Sequence, residues 1–369
     1  MIYLDNGATS FHKPPAVYRA VLDAMRSCAN PGRGGYGAAM AAASRIYSCR
    51  EQAARLFDCE PQQVVLTTSC THGLNIAIRS LVKPGGRVVV SGFEHNAVTR
   101  PLHALKARIT VTGRRLFSWD NILTEWEAAL RSGQDAAVFT HVSNVFGYIL
   151  PVKEMAALCR RYGVPFVLDA AQSAGTLPVS LKQLGAAFIS MPGHKGLLGP
   201  QGTGLLLCGI EGQPLLQGGT GSASAIQEMP EELPDRLEPG TLNVPGFAGL
   251  REGLRYLNRV GVDAVYSREH RELERCAAGL KQLGMKVFCG PHQAATVSFL
   301  PGMDGEEAAR ILADQGIAVR AGLHCAPYAH ESAGTLSTGT VRVSFGHDCR
   351  EVETLAFLRA ASKLPSFLQ

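Results

Sequence analysis

Several stretches of the chain carry side chains suited to anion binding, acid–base work or nucleophilic attack, and each follows an apolar run. Ser69-Cys70-Thr71-His72-Gly73 follows VVLTT and opens a helical pattern. Small and hydroxyl residues at a helix start present backbone N–H groups to a phosphate. The same string also serves as a plain N-cap. Glu94-His95-Asn96 follows RVVVSG, Asn144 follows AAVFTHVS, and Asp169-Ala170-Ala171-Gln172 follows VPFVL. Pro192-Gly193-His194-Lys195-Gly196 follows AAFISM and sets a lysine in a glycine turn. Taken singly, the histidine reads as structural and the lysine as an exposed turn residue.

The set has a narrower meaning. In an open α/β sheet, ligands bind at the carboxyl ends of the strands. A phosphate cradle, a ring-sized histidine, an acid and a lysine at successive strand ends meet the needs of pyridoxal phosphate. A lysine forms the Schiff base to such a cofactor, and an acid pairs with its pyridine nitrogen so that the ring accepts electrons. A nicotinamide dinucleotide is disfavoured, because no GxGxxG follows the first strand of the unit.

The elements that must position these residues are legible as an alternation. Short β-rich apolar runs at 64–68, 87–92, 108–113, 136–144, 164–172, 186–193 and 202–209 flank helical patterns at 72–82, 96–106, 121–132 and 152–162. Continuous apolar strands separated by helices predict a mostly parallel sheet covered on both faces. Residues 210–245, rich in Gly, Pro and acidic side chains, read as a long ordered loop, and such loops are commonly functional or interfacial. A helix-rich stretch over 246–284 and apolar runs at 286–289, 295–300, 317–320 and 340–345 predict a smaller α+β domain.

The chain has 369 residues, enough for two domains. With 46% hydrophobic and 18% charged residues it has a globular composition. Its 40 glycines favour tight turns and close backbone approaches. A net charge of +5 is mild: it suits small anions and argues against a nucleic-acid partner. No apolar run reaches the roughly 18–20 residues that cross a bilayer. The start, MIYLDNGATS, lacks a basic-then-apolar signal pattern, so a cytoplasmic, non-membrane protein is expected. Ten scattered cysteines without a CxxC are expected to be mostly free thiols.

The motifs in order resemble those of class V aminotransferase-fold pyridoxal phosphate enzymes, and within them the cysteine desulfurase and selenocysteine lyase group. The resemblance rests on YLDNGATS (3–10), SCTHGLN (69–75), EHNAV (94–98), HVSNVFG (141–147), DAAQSAG (169–175), GHKGLLGPQGTG (193–204), EPGTLN (238–243), RAGLHCA (320–326) and GTVRVSFG (339–346). It implies the type I fold of pyridoxal phosphate-dependent transferases. It also implies an N-terminal segment (1–14) packing with the small domain, a large cofactor domain (15–245) with a mostly parallel seven-stranded sheet, and a small α+β domain (246–369). Pro192 stands where relatives often have Ser, GHKGLLGP carries one extra residue, and His72 replaces a usually acidic position.

By that resemblance Lys195 is the Schiff-base lysine, Asp169 pairs with the pyridine nitrogen and Gln172 with the ring phenolate. His95 stacks on the ring and can shuttle protons. Cys70, Thr71 and His194 hold the phosphate. Thr241 reaches the phosphate of a partner subunit, which implies a homodimer. Asn144 and Arg342 hold the substrate, Arg342 through its carboxylate. Cys325 is the sulfur-accepting nucleophile in a compact loop, with Arg320 and His324 beside it as sources of positive charge that favour the thiolate. A zinc site built from His324, Cys325 and His330 lacks a fourth ligand at suitable spacing and is disfavoured. The implied activity is conversion of L-cysteine to L-alanine, the sulfur passing through a Cys325 persulfide to an unidentified acceptor protein. Selenocysteine lyase, acting on L-selenocysteine, is the alternative within the group. A transaminase or another β-lyase is the alternative on the fold.

Overall fold

The computed structural model describes residues 1–32, 34–222 and 224–367. The chain begins with β1 (Ile2–Tyr3), then α1 (Pro15–Ser27) and the long α2 (Gly37–Phe57). The alternating unit follows as β2 (Val64–Thr67), α3 (Cys70–Leu81), β3 (Arg87–Ser91), α4 (Asn96–Ala104), β4 (Arg108–Thr112), α5 (Trp119–Arg131) and β5 (Ala136–Thr140). It continues with α6 (Val152–Arg161), β6 (Phe166–Asp169), α7 (Leu181–Leu184), β7 (Phe188–Pro192) and β8 (Gly204–Cys208). These strands form one seven-stranded sheet in the order β2-β8-β7-β6-β5-β3-β4. Only β8 runs against its neighbours β2 and β7, so the sheet is mostly parallel as expected. Every residue of β2, β5, β6, β7 and β8 is buried, as strands covered on both faces require.

The helix-rich stretch 246–284 holds two helices. Gly261, at φ +85°, separates α8 (Val244–Val260) from α9 (Val262–Gln282). That left-handed conformation is open to glycine and ends the first helix cleanly. α8 packs along α1 and α2, and its Val244, Phe247, Leu250, Leu254 and Leu257 join the core under the large sheet. The remaining elements are β9 (Lys286–Phe288), β10 (Thr296–Leu300), α10 (Gly305–Asp314), β11 (Ile317–Ala318), β12 (Arg320–Gly322), α11 (Pro327–Ala333), β13 (Thr340–Ser344) and α12 (Glu351–Ala361). The apolar run at 317–320 therefore serves two sheets. β11 pairs in parallel with β1, while β12 joins the antiparallel sheet β12-β13-β10-β9. A separate core of Leu4, Leu273, Leu280, Val297, Phe299 and Phe357 lies behind that second sheet.

Between β8 and α8 the chain runs through a loop with one short 3-10 turn (Asp235–Leu237). One ion pair pins it. Arg50 on α2 donates to both Glu238 oxygens at 2.7 and 2.6 Å, and the pair is buried. Glu238 also accepts from Leu66 N at 2.5 Å, and Arg50 donates to Val64 O at 2.5 Å. Loop, helix and β2 are thus tied through two desolvated charges, and neither can lose its partner cheaply. No helix among the described residues is long and apolar enough to cross a membrane. Glu238→Ala is expected to lower stability by about 3–5 kcal/mol, while Arg50→Met with Glu238→Leu loses much less. Denaturant unfolding of the two variants checks this.

Candidate active site

The parallel sheet brings the ends of β5, β6 and β7 together, and the chemistry gathers there. Asp169 is the last residue of β6, with its carboxylate buried. Oδ1 accepts from Ala171 N at 2.9 Å and lies 3.5 Å from Cys70 Sγ. Burial pushes this carboxyl upward, against the pull of the Ala171 N–H and of Lys195. Lys195 sits in the turn after β7, where Gly199 N donates to Gly193 O at 2.7 Å and Leu198 N to Lys195 O at 2.9 Å. The turn nests against 174–176, and a Cβ on Gly196 would strike the Ala174 carbonyl. Among the described residues the Lys195 ammonium has no hydrogen bond or ion pair. Dehydration, and then the nearby Arg342, pull its pKa down from the usual lysine range. That shift favours the neutral amine, the form that attacks a carbonyl carbon.

At the end of β2, Ser69 caps α3 by accepting from His72 N at 3.1 Å. The amides of Cys70 and Thr71 stay without a partner among the described residues, and Thr71 is exposed. These groups suit an anion. The Cys70 thiol is buried against Asp169 and pushed well up by that burial, which leaves its backbone N–H as the group facing an anion. Ser190 Oγ donates to Cys70 O at 3.0 Å and locks this helix start onto β7.

His95 is the N-cap of α4, and its Nδ1 accepts from Ala97 N at 3.0 Å. With Nδ1 committed as an acceptor, the neutral ring carries its proton on Nε2. Burial, reinforced by Lys195, lowers this histidine to about 4. Glu94, the residue before it, has a role that its sequence neighbours do not show. It is buried between β3 and β5, where it accepts from Ser91 Oγ, from Ser91 N at 3.3 Å and from Thr140 N at 3.0 Å. It therefore anchors the turn that presents His95. His194 is likewise neutral, lowered to about 4 by burial and by Lys195, with Nδ1 3.0 Å from Thr9 Oγ1.

The second half of the site comes from the small sheet. Arg342, in β13, is buried, and its Nη1 donates to Asn144 O at 3.0 Å. Asn144 Nδ2 donates in turn to His324 O at 2.8 Å. His324 and Cys325 are the central residues of a turn closed by Ala326 N to Leu323 O at 2.9 Å, and both have positive φ, 48° and 56°. Neither is glycine, so the turn carries strain of about 1–3 kcal/mol per residue, a feature that collects at functional sites. It is held because Asn96 N donates to Cys325 O at 2.7 Å while Asn144 takes the neighbouring carbonyl. Among the described residues Cys325 is the only exposed cysteine. Burial raises the Cys49, Cys59, Cys159 and Cys349 thiols to about 12. His324 corrects an expectation. It is buried and lowered to about 3, chiefly by burial and then by Arg342, so it lends Cys325 no positive charge. No metal-binding cluster with His330 forms among the described residues.

The N-terminal segment laces the two halves together. Gly7 N donates to Ser344 Oγ at 2.7 Å, and Gln172 Nε2 donates to Gly7 O at 2.9 Å. Ser10 N donates to His194 O at 3.0 Å. One Gln172 amide hydrogen is therefore spent on this segment. Thr241 lies elsewhere, exposed in a separate groove with Asn30, Tyr47, Arg50 and Thr220. Within one chain it does not meet Lys195.

The aminotransferase class-V family model matches residues 2–356. A probable cysteine desulfurase from Methanothermobacter thermautotrophicus is 32% identical over 360 residues, covering 93% of this chain and 89% of that protein. Another from Pyrococcus abyssi is 31% identical, covering 96% and 92%. The apo structure of cysteine desulfurase from Thermococcus onnurineus NA1 aligns with a TM-score of 0.89 at 31% identity, over 98% of this chain and 94% of that one. An Escherichia coli cysteine desulfurase structure aligns at 0.83 with 25% identity, over 97% and 93%. A match that spans nearly the whole chain, over a site assembled at the ends of the same strands, places the protein in the class-V aminotransferase family.

Proposed function

We propose that the protein is a pyridoxal phosphate-dependent L-cysteine desulfurase. The observation that carries this reading is Cys325, an exposed thiol on a strained turn, pinned to the residue after His95 and to Asn144. A buried structural cysteine needs none of that.

The donor set fits the cofactor. Its phosphate would meet the Cys70 and Thr71 amides, the Thr71 hydroxyl and His194. Its ring nitrogen would meet Asp169, whose burial raises its carboxyl and favours a further N–H donor. Its carbonyl carbon would meet Lys195. His95 would cover one face, and Gln172 has a second amide hydrogen for the ring oxygen. When bound, the cofactor supplies an electron sink that labilises bonds around the substrate's Cα.

The chain's own residues then do the rest. Arg342 and Asn144 orient the substrate, Arg342 by gripping its carboxylate. Lys195, with its depressed pKa, exchanges protons near the substrate's Cα. His95 carries a proton on Nε2 and can give or take it there. Cys325 sulfur attacks the substrate sulfur; an S–S bond forms as the substrate's Cβ–S bond breaks. The electron pair left on carbon ends as a C–H bond of alanine. The persulfide on Cys325 is passed to an acceptor protein. A homodimer is part of this reading. Tyr18, Leu22 and Met25 on α1 and Met40 and Tyr47 on α2 expose apolar side chains, and Tyr47 lines the groove that holds Thr241. A second copy covering them would let Thr241 reach its partner's cofactor phosphate.

Three outcomes are expected. Lys195→Ala loses multiple turnover with every amino acid, measured as alanine release, because no amine remains to free the product. Arg342→Ala raises KM for L-cysteine by the equivalent of about 2–5 kcal/mol, since the substrate carboxylate loses a buried charged partner. Cys325→Ser keeps its cofactor absorbance but releases no alanine from L-cysteine, and mass analysis finds the persulfide on wild-type Cys325 alone. Alanine release from L-selenocysteine by the same variant separates lyase from desulfurase activity. Wild-type alanine release from L-cysteine by Cys325→Ser sinks the assignment.

A further inference from the structure

Arg342 already holds a carboxylate that belongs to the protein. Its Nη2 lies 2.6 Å from Asp5 Oδ1, and the side chains of Arg342 and Asp5 are 3% and 18% exposed. Nη1 is spent on Asn144 O. Nε is buried and has no partner among the described residues. Asp5 is no loose residue: its backbone bridges to Ser344, and Tyr3 Oη donates to its carbonyl at 3.1 Å. Two residues on, a Cβ on Gly7 would lie 3.2 Å from Arg342 Cζ, so the N-terminal segment rests against the guanidinium. Arg342 also faces a second cation, since Arg320 is its register partner across β12 and β13.

We propose that Asp5 sets the enzyme's affinity for its amino-acid substrate, acting as a built-in carboxylate that occupies Arg342 in the empty site. This rests on the reading of Arg342 as the substrate-carboxylate residue. An incoming carboxylate grips two N–H groups of one guanidinium edge. The open Nε–H and an Nη2–H supply that edge, and Asp5 competes for Nη2. In the empty site Asp5 neutralises a buried cation that would otherwise be costly. Deleting the charge on Asp5 therefore raises the free energy of the empty site more than that of the filled one. Substrate affinity rises and KM falls. A residue that merely braced Arg342 would move KM the other way.

The test compares wild type, Asp5→Asn, Asp5→Glu and Arg342→Ala as holoenzymes. KM and kcat for L-cysteine are measured, with melting temperature as a function of added L-alanine, which keeps the carboxylate and lacks the thiol. Asp5→Asn is expected to lower KM, and the L-alanine concentration that half-shifts the melting temperature, by about tenfold, a normal size for coupling between two groups. Its kcat should change little. Without ligand it should melt below wild type, and saturating L-alanine should close the gap. Asp5→Glu, which keeps the charge, should fall between the two. An unchanged or raised KM in Asp5→Asn, with KM raised in Arg342→Ala, overturns the role of Asp5 and leaves the desulfurase reading intact. A KM unmoved in Arg342→Ala overturns both the proposal and the carboxylate assignment beneath it. Should Asp5→Asn not fold, Asp5→Ser, which also removes the charge, decides: an unchanged or raised KM and L-alanine midpoint there overturns the proposal.

Discussion

The site depends on a carboxylate buried at the end of the middle strand of the large sheet. Asp169 has water on no side, so its charge must be met by donors and cations brought to it. Ala171 N and the Cys70 thiol meet one oxygen, and Lys195 supplies positive charge from the adjacent strand. A parallel sheet alone places those groups together, because the carboxyl ends of its neighbouring strands share one edge. The same desolvation that leaves Asp169 wanting a cation also lowers Lys195 and His95 toward their neutral forms. One burial thus prepares an acid, an amine and an imidazole for different tasks.

That large-domain half is incomplete without the small sheet. Arg342 and the Cys325 turn approach from β13 and from the segment after β12, and both dock on Asn144. The docking is polar and specific. A guanidinium, an amide and two carbonyls from strained residues all find partners across the junction. The N-terminal segment adds a third strand of support, bonded to Ser344 on one side and to Gln172 and His194 on the other. The candidate site is therefore built from three chain segments far apart in sequence, held together by these hydrogen bonds.

Local chemistry was legible wherever a residue type declares its use. The strand runs, the glycine turn around Lys195 and the acid closing β6 follow from periodicity and turn propensity, and the structure places them at one sheet edge. Residues whose role lies in a distant partner were opaque. Glu94 has no role readable beside His95, because its partner Thr140 N comes from β5. Asp5 stands in YLDNGATS with no partner visible in the sequence, and the fold brings Arg342 against it. His324 reads as a charge donor to Cys325 because the two are adjacent, yet the turn buries the imidazole and exposes the thiol. Cys70 reads as a phosphate ligand from its helix start, yet its side chain turns toward Asp169.

By itself, then, the sequence determined the elements, through hydrophobic period, and the family, through the resemblance of its ordered motifs; period and motif are both properties of neighbouring residues. Only the tertiary structure decided which of ten cysteines meets solvent, which histidines are neutral and which carboxylate answers Arg342. Charge state and exposure are set by what surrounds a group in space, and β13, the N-terminal segment and the strand ends meet only after the chain has folded.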